Sequence, residues 1–278
     1  MGFTRRIQGL GMLCCVALVA LQAAPRPSSK LSLKSASALV LDQATGQTLI
    51  EKQAGAVQPI ASLTKLMTAM VLLDARLDPQ ETLTITRDDM DMLRHSRSRL
   101  PVGTRLPREQ ALLLALLASE NRAAHALGRT FPGGLTAFVD AMNAKAKSLG
   151  LEETRFEDPT GLSAGNVASA HDLARIMDAA YRYPEIRDFS TRPETTIQSG
   201  RRSIQFPNTN ALVRSSRWNI GLSKTGYIEE AGRCLVMQAM LANRPVLIVL
   251  LDSWGKYSRL GDANRIKSWL ESKLGAKG

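Results

Sequence analysis

Hydrophobic and polar positions alternate in two short runs near the start of the chain, Ser37–Asp42 and Gln47–Lys52, either side of Gln43-Ala44-Thr45-Gly46. Period-two alternation interrupted by turn-forming residues predicts a β-hairpin. After Pro59 the period changes. Leu63, Leu66, Met67, Met70 and Val71 recur at helical spacing, and Leu72, Leu73 and the alanines widen the apolar surface to most of the circumference. A helix that is apolar nearly all round is buried between layers. Glu81–Thr86 reads as a short strand, and polar Asp88–Arg105 as a loop with a helical turn. Pro107 then opens a helix, since proline suits a first turn. Glu109 lies in that turn, and Ala111–Leu117 is the apolar body, breaking at Ala118-Ser119-Glu120-Asn121. Arg122–Arg129 is helical again, Pro132-Gly133-Gly134 turns the chain, and Leu135–Leu149 is an amphipathic helix closed by Gly150. Arg155–Asn166 is a loop, and Ser169 with Asp172 makes a capping box for a helix running to about Tyr183.

After Pro193 the two-residue period returns. Thr195–Ser199, Arg202–Phe206, Gly221–Tyr227, Cys234–Leu241 and Pro245–Leu251 read as strands. Gly232 and Ala242-Asn243-Arg244 supply turns between the last three, and short turns argue for antiparallel pairing. Residues 258–274 close the chain as an amphipathic helix. The expected fold class is α/β (α+β): an antiparallel sheet flanked by helices, with a mainly helical lobe inserted. The expected domain spans 37–274, with a sheet lobe over 37–60 and 195–274 and a helical lobe over about 61–190.

Candidate chemistry sits in the most apolar helix. Ser62 and Lys65 are spaced i and i+3, on one side of its first turn. A lysine in apolar surroundings has its charged form disfavoured, so its pKa falls. It can then take the proton of Ser62. The helix N-terminus offers N–H groups to a developing oxyanion. The tetrapeptide alone is weak, because Ser253-Trp254-Gly255-Lys256 has the same pattern where a strand ends. Two further motifs follow in order. Ser119-Glu120-Asn121 is the only Ser-x-Asn, at the break of an apolar helix, and Lys224-Thr225-Gly226 is the only Lys-Thr-Gly, inside a strand. Singly, Ser119 reads as a helix cap and Lys224 as a solvated strand lysine. Together the three read as one constellation on a helix, a loop and a strand.

Composition narrows the setting. Arg5 and Arg6, then apolar Leu10 to Leu21, then Ala20, Ala23 and Ala24 make residues 1–24 a secretory signal; the alternative is an uncleaved anchor. Pro25, Pro27 and several serines make 25–36 a flexible lead-in. Cys14 and Cys15 leave with the signal, so Cys234 has no disulfide partner, which suits a bacterial periplasm. The net charge of +11 would draw the chain to anionic polymers such as wall glycan or to membrane headgroups, or is a solvated basic surface with no specific partner. Nucleic acid is not expected, because aromatics are only 5% and no basic run interleaves with them.

The motif set resembles that of the penicillin-binding, active-site-serine D,D-peptidases, whose relatives include class A β-lactamases. Ser119–Ala124, the Ala141–Gly150 helix end, Phe156–Leu162, Asn208-Thr209-Asn210 and Trp218–Tyr227 look like the small periplasmic D-alanyl-D-alanine endopeptidases. The resemblance covers nearly all of 37–272. It implies a β-lactamase/D,D-peptidase-like fold and hydrolysis of D-alanyl bonds in peptidoglycan peptides, with β-lactams as covalent inhibitors. It implies Ser62 as nucleophile, Lys65 as base with its pKa lowered further by Lys224, Ser119 as proton relay, and Asn121 bonded to Lys65 and the substrate amide. Lys224 and Thr225 would bind the substrate carboxylate, Gly226 would let the substrate backbone approach, and the N–H groups of Ser62 and Tyr227 would form the oxyanion hole. No cofactor, no metal and no membrane anchor after signal removal are implied. Carboxypeptidases of the family usually carry a further C-terminal domain and anchor; this chain stops after one helix, which favours the endopeptidase branch. Glu157 and Asp158 are not in the context of the deacylating Glu of class A β-lactamases. The rivals are a D-alanyl-D-alanine carboxypeptidase, a non-catalytic β-lactam- or wall-binding module, and a zinc peptidase. The last would need clustered ligands, whereas His95, His125 and His171 stand singly.

Overall fold

The structure, a computed structural model, describes residues 1–2 and 31–274. The rest of the expected signal, and the lead-in as far as residue 30, lie outside the described residues. The first hairpin is β1 (Ser35–Asp42) and β2 (Thr48–Lys52). Its first strand begins inside the expected lead-in because Ser35 is anchored. It pairs with Ser253, and its hydroxyl donates to the Asp262 carboxylate, 2.6 Å away.

Next come β3 (Gln58–Pro59), a 3-10 turn over Ala61–Thr64, and α1 (Lys65–Asp74). β4 (Thr82–Thr84) pairs with β5 (Arg105–Pro107), which runs straight into α2 (Arg108–Leu117). Pro107 therefore ends a strand and caps a helix, one residue before the first-turn position expected for it. Then follow α3 (Asn121–Arg129) and α4 (Gly134–Ser148), which ends as expected with Gly150 at φ +67°. The two-residue β6 (Val167–Ala168) pairs with β3.

Ser169 caps α5 (Ala170–Tyr181) by accepting from the Asp172 N–H. The expected run to Tyr183 stops short because Pro184 starts a separate helix, α6 (Pro184–Thr191). β7 (Glu194–Ser199) and β8 (Arg202–Pro207) pair only with each other. They were expected in the sheet lobe but form an independent hairpin. The last elements are β9 (Asn219–Ile228), β10 (Gly232–Leu241), β11 (Arg244–Ser253) and α7 (Ser258–Leu274).

The main sheet has five antiparallel strands in the order β2-β1-β11-β10-β9, so the first strand pairs with the last and β9 has a free edge. Alternation along the strands sends side chains to two separate cores. Ala38, Val40, Leu235, Ile248 and Leu250 face Ala263, Ile266 and Leu270 of α7. Leu39, Val236, Leu247, Val249 and Leu251 face the helical lobe, where Leu66, Met70, Leu114 and Phe138 are fully buried. Each such Leu or Ile contributes roughly 2 kcal/mol of transfer free energy. Among the described residues no helix is long and apolar enough to cross a membrane.

Candidate active site

The 3-10 turn that carries Ser62 begins with backbone strain. Ala61 has φ +48°, in the left-handed region that non-glycine residues rarely adopt. Gly161, at φ +81° in the loop between α4 and β6, lies flat against it, and a Cβ at that glycine would run into the Ala61 carbonyl and come within 2.8 Å of Ser62 N. Ser62 thus sits on a tight turn ahead of α1, not within the α-helix that the apolar period suggested. The i, i+3 spacing still aligns Ser62 with Lys65, because side chains three apart eclipse one another in a 3-10 turn.

Lys65 is fully buried, and its Nζ has three partners. Ser62 Oγ lies at 2.8 Å, Asn121 Oδ1 at 2.8 Å and the Thr160 carbonyl at 2.5 Å. Burial lowers its pKa to about 7, against the opposing pull of Asp158, Glu120 and Asp91. Ser119 occupies the break between α2 and α3 with φ +57°, and Glu120, rather than Ser119, caps α3 by accepting from Arg122 N. The Ser119 hydroxyl accepts from Lys224 Nζ at 2.8 Å. Lys224 is also fully buried, and its pKa is held well below the ordinary lysine value by burial, then by the charges of Lys65 and Arg259. The expected repulsion between the two lysines is present, but its effect falls on Lys224. Thr225 Oγ1 is within 2.7 Å of Thr209 Oγ1. The neighbouring Asn210 ties the same strand down through Ser223 Oγ at 2.8 Å. Gly226 brings β9 close against the 3-10 turn. A Cβ there would meet the Ile60 carbonyl at 3.0 Å and Ser62 N at 3.2 Å. Tyr227 follows with its side chain exposed.

Every residue singled out in the three motifs therefore lies in one cleft between β9, the 3-10 turn and the α2–α3 break. The contacts divide into two amine–hydroxyl pairs, Lys65 with Ser62 and Lys224 with Ser119. The Lys65 set has a chemical consequence. An ammonium has three N–H donors, matched here by three acceptors. A neutral amine keeps two hydrogens and a lone pair. Asn121 Oδ1 and the Thr160 carbonyl have no proton to give, so the lone pair falls to Ser62, the one partner that does.

Four participants were not legible in the motifs. The Thr160 carbonyl is held by a loop wound round Asp158, whose carboxylate accepts from the N–H groups of Thr160, Gly161 and Ser163. Asn166 Oδ1 accepts from Glu157 N and its Nδ2 donates to Thr64 Oγ1, joining that loop to the 3-10 turn. Ser96, on the loop before β5, accepts from Asn121 Nδ2 at 3.0 Å, the atom expected to serve the substrate amide. Arg259, at the start of α7, reaches the Gly226 carbonyl at 3.4 Å, and its buried Nε has no partner among the described residues. Glu157 turns away to Arg155 and Ser163. His125 bonds Asp89 and lines a hollow shared with Asn121, Asp158 and Thr160, whereas His171 bonds Glu51. The copy of the motif at Ser253 and Lys256 is unrelated to the site, since the Ser253 hydroxyl is buried against Ser35 at 2.6 Å.

Over residues 22–254 the sequence matches the family described as D-alanyl-D-alanine carboxypeptidase. The chain belongs to that family. Within it, the sequence is 47% identical over 259 residues to a D-alanyl-D-alanine endopeptidase of Pseudomonas aeruginosa, a match covering 91% of this chain and 84% of the relative. It is 44% identical over 256 residues to a D-alanyl-D-alanine endopeptidase of Escherichia coli, covering 91% and 83%. The crystal structure of the Streptomyces K15 DD-transpeptidase superposes with a TM-score of 0.80 at 27% identity, covering 87% of this chain and 98% of that one. The D-alanyl-D-alanine carboxypeptidase family and the D,D-peptidase fold agree with what the motif order implied.

Proposed function

We propose that this chain is an exported serine D,D-peptidase acting in the periplasm on peptidoglycan peptides, and that it opens D-alanyl–diaminopimelate cross-links. The observation that carries the reading is the Lys65 contact set: a desolvated amine with a pKa of about 7 whose only proton-bearing partner among the described residues is Ser62. Neutral Lys65 takes the Ser62 proton as Oγ attacks the D-alanyl carbonyl. The N–H groups of Ser62 and Tyr227 receive the oxyanion. The C–N bond breaks, the leaving amine takes a proton by way of Ser119, and an ester on Ser62 remains. Water then attacks that ester, releasing the acid and restoring the hydroxyl.

Lys224, Thr225 and Arg259 form the receptor for the carboxylate next to the scissile bond. Burial, Lys65 and Arg259 raise the cost of ionising Lys224, and an arriving carboxylate relieves it. Asn121 Nδ2 spends one of its two hydrogens on Ser96 and has the second to give to the carbonyl of the substrate amide, while its Oδ1 holds Lys65. A β-lactam would acylate Ser62 by the same route and be trapped there. The endopeptidase preference is supported by the names of the two relatives above, and a D-alanyl-D-alanine carboxypeptidase is the alternative that the family description favours.

The test is digestion of purified cross-linked muropeptide dimers and of monomeric pentapeptide, read by mass spectrometry. Dimers are expected to fall to monomers, with no cleavage and no attachment of labelled penicillin in Ser62→Ala. Activity retained in that variant rejects the mechanism. Loss of the terminal D-Ala from pentapeptide with dimers left intact selects the carboxypeptidase.

A further inference from the structure

Large apolar side chains exposed singly are ordinary, but several grouped on one part of a surface mark an interaction site. Here Trp254 is 89% exposed, Tyr257 67% and Tyr227 56%. The three share one end of the sheet. Tyr227 on β9 lies opposite Arg233 on β10, and Arg233 lies opposite Ser253, the last residue of β11. Directly opposed residues share a face. That face is the one covered further along by α7, because Leu235, two residues on from Arg233, packs with Ala263 and Ile266. The turn 254–257 leads from β11 into α7, whose Arg259 reaches back to the Gly226 carbonyl. Two rings are topped by cations: the Arg233 guanidinium is 4.5 Å from the Tyr227 ring centre, and Lys256 Nζ is 5.4 Å from that of Tyr257. Such contacts hold rings in place and leave one face free.

We propose that Tyr227, Arg233 and the turn carrying Trp254, Lys256 and Tyr257 form a docking shelf for the sugar strand of the wall polymer whose peptide enters the cleft. The inference rests on the peptidoglycan reading above and extends it from the peptide to the glycan. Pyranose rings present apolar C–H faces that stack on aromatic rings. The carboxylates of the attached peptides complement Arg233 and Lys256. The shelf borders the cleft at the free edge of β9, where Tyr227 directly follows Gly226: the tyrosine ring turns to the face covered by α7, and Gly226 to the face that meets the 3-10 turn. A peptide lying along that edge passes Tyr227 as it leaves the site.

The experiment uses the full chain and its Trp254→Ala/Tyr257→Ala variant. Co-sedimentation with purified sacculi is expected to fall about tenfold in affinity, and hydrolysis of sacculi to fall with it. Cleavage of a sugar-free cross-linked peptide dimer, and the rate of labelling by penicillin, are expected to stay within twofold. Trp254→Phe/Tyr257→Phe, which keeps both rings, is expected to restore sacculus binding. Unchanged binding of sacculi by the alanine variant overturns the shelf. So does a loss of penicillin labelling equal to the loss of binding, since the residues would then act on the centre itself. Vesicles of phosphatidylethanolamine and phosphatidylglycerol provide the other arm. Sedimentation with them that depends on Trp254 and Tyr257, while sacculus binding does not, assigns the rings to a membrane and overturns the glycan. If the unaltered chain binds sacculi through the rings yet leaves the sugar-free dimer intact, the endopeptidase reading fails and the shelf stands.

Discussion

Lys65 is a base only because it is dry. Its pKa of about 7 arises from burial, and its neighbours Asp158, Glu120 and Asp91 pull the other way. The sign of the pH effect follows. A depressed lysine pKa means that the native state has shed a proton that the unfolded chain, with the ordinary value of 10.5, still holds. Stability therefore rises with pH between about 7 and 10.5, and the full cost of the buried charge is carried below that window. Reactivity follows the neutral amine. Acylation of Ser62 by labelled penicillin should climb about tenfold per pH unit below 7 and level off above it. Lys65→Arg should abolish acylation across the range, because a guanidinium stays charged. Stopped-flow labelling of both proteins over a pH series decides it; a flat profile in the unaltered chain would remove Lys65 as base. This much was legible from one apolar helix with a lysine in its first turn. The Thr160 carbonyl was not, because a backbone acceptor leaves no mark on residue type. Nor was Arg259, whose approach to Gly226 depends on how α7 packs across the sheet.

At the scale of elements, periodicity located the strands and helices well, since apolar alternation and the 3.6-residue stripe are properties of single segments. It failed where an element is shaped by another one. Ser62 was read into an α-helix because Leu63 and Leu66 fit the stripe, yet Gly161 presses on Ala61 and holds the 3-10 turn apart from α1. The β7–β8 hairpin has the pattern of sheet strands but folds back on itself, an outcome that alternation cannot distinguish. The dependence of the turn on its neighbouring loop can be measured with two glycines. Gly46 has φ +72° and open space around it, so Gly46→Ala should cost only the left-handed strain, about 1 kcal/mol. Gly161→Ala adds a collision with the Ala61 carbonyl at a similar φ of +81°, and should cost about 3 kcal/mol or more. In a domain of this size the first should lower Tm by about 2–4 °C and the second by about 10 °C. Only the second should also slow penicillin labelling, because the turn it displaces carries Ser62. Equal labelling rates in the two variants would show that the loop supports the fold without shaping the nucleophile.

For the whole molecule, the pairing of β1 with β11 decides how the lobes behave. Short turns in the sequence gave the β9-β10-β11 meander, but no local signal joins the first strand to the last. Closing that pair places the helical lobe, which spans α1 to α6, in the middle of the chain and against one face of a sheet made from both ends. The apolar cluster on that face runs without a break from Leu39 and Val249 through Ile60 and Leu66 to Leu114 and Phe138. Neither lobe can open without exposing the other's core, so the two should unfold as one cooperative unit despite the inserted topology. The chain supplies probes for this. Its three tryptophans, Trp218, Trp254 and Trp269, all lie in the sheet lobe, whereas most of its helix lies in the other. Tryptophan fluorescence and far-ultraviolet circular dichroism should therefore give superimposable transitions in urea. A third probe is Cys234, fully buried on β10, whose thiol pKa is pushed up to about 11 by burial. With Cys14 and Cys15 changed to Ser, alkylation of Cys234 should follow the same curve, because a buried protonated thiol reacts only when the sheet opens. Helical signal lost at lower urea than the fluorescence, with Cys234 still protected, would mean that the lobes fold separately and that the cleft joins two independent bodies.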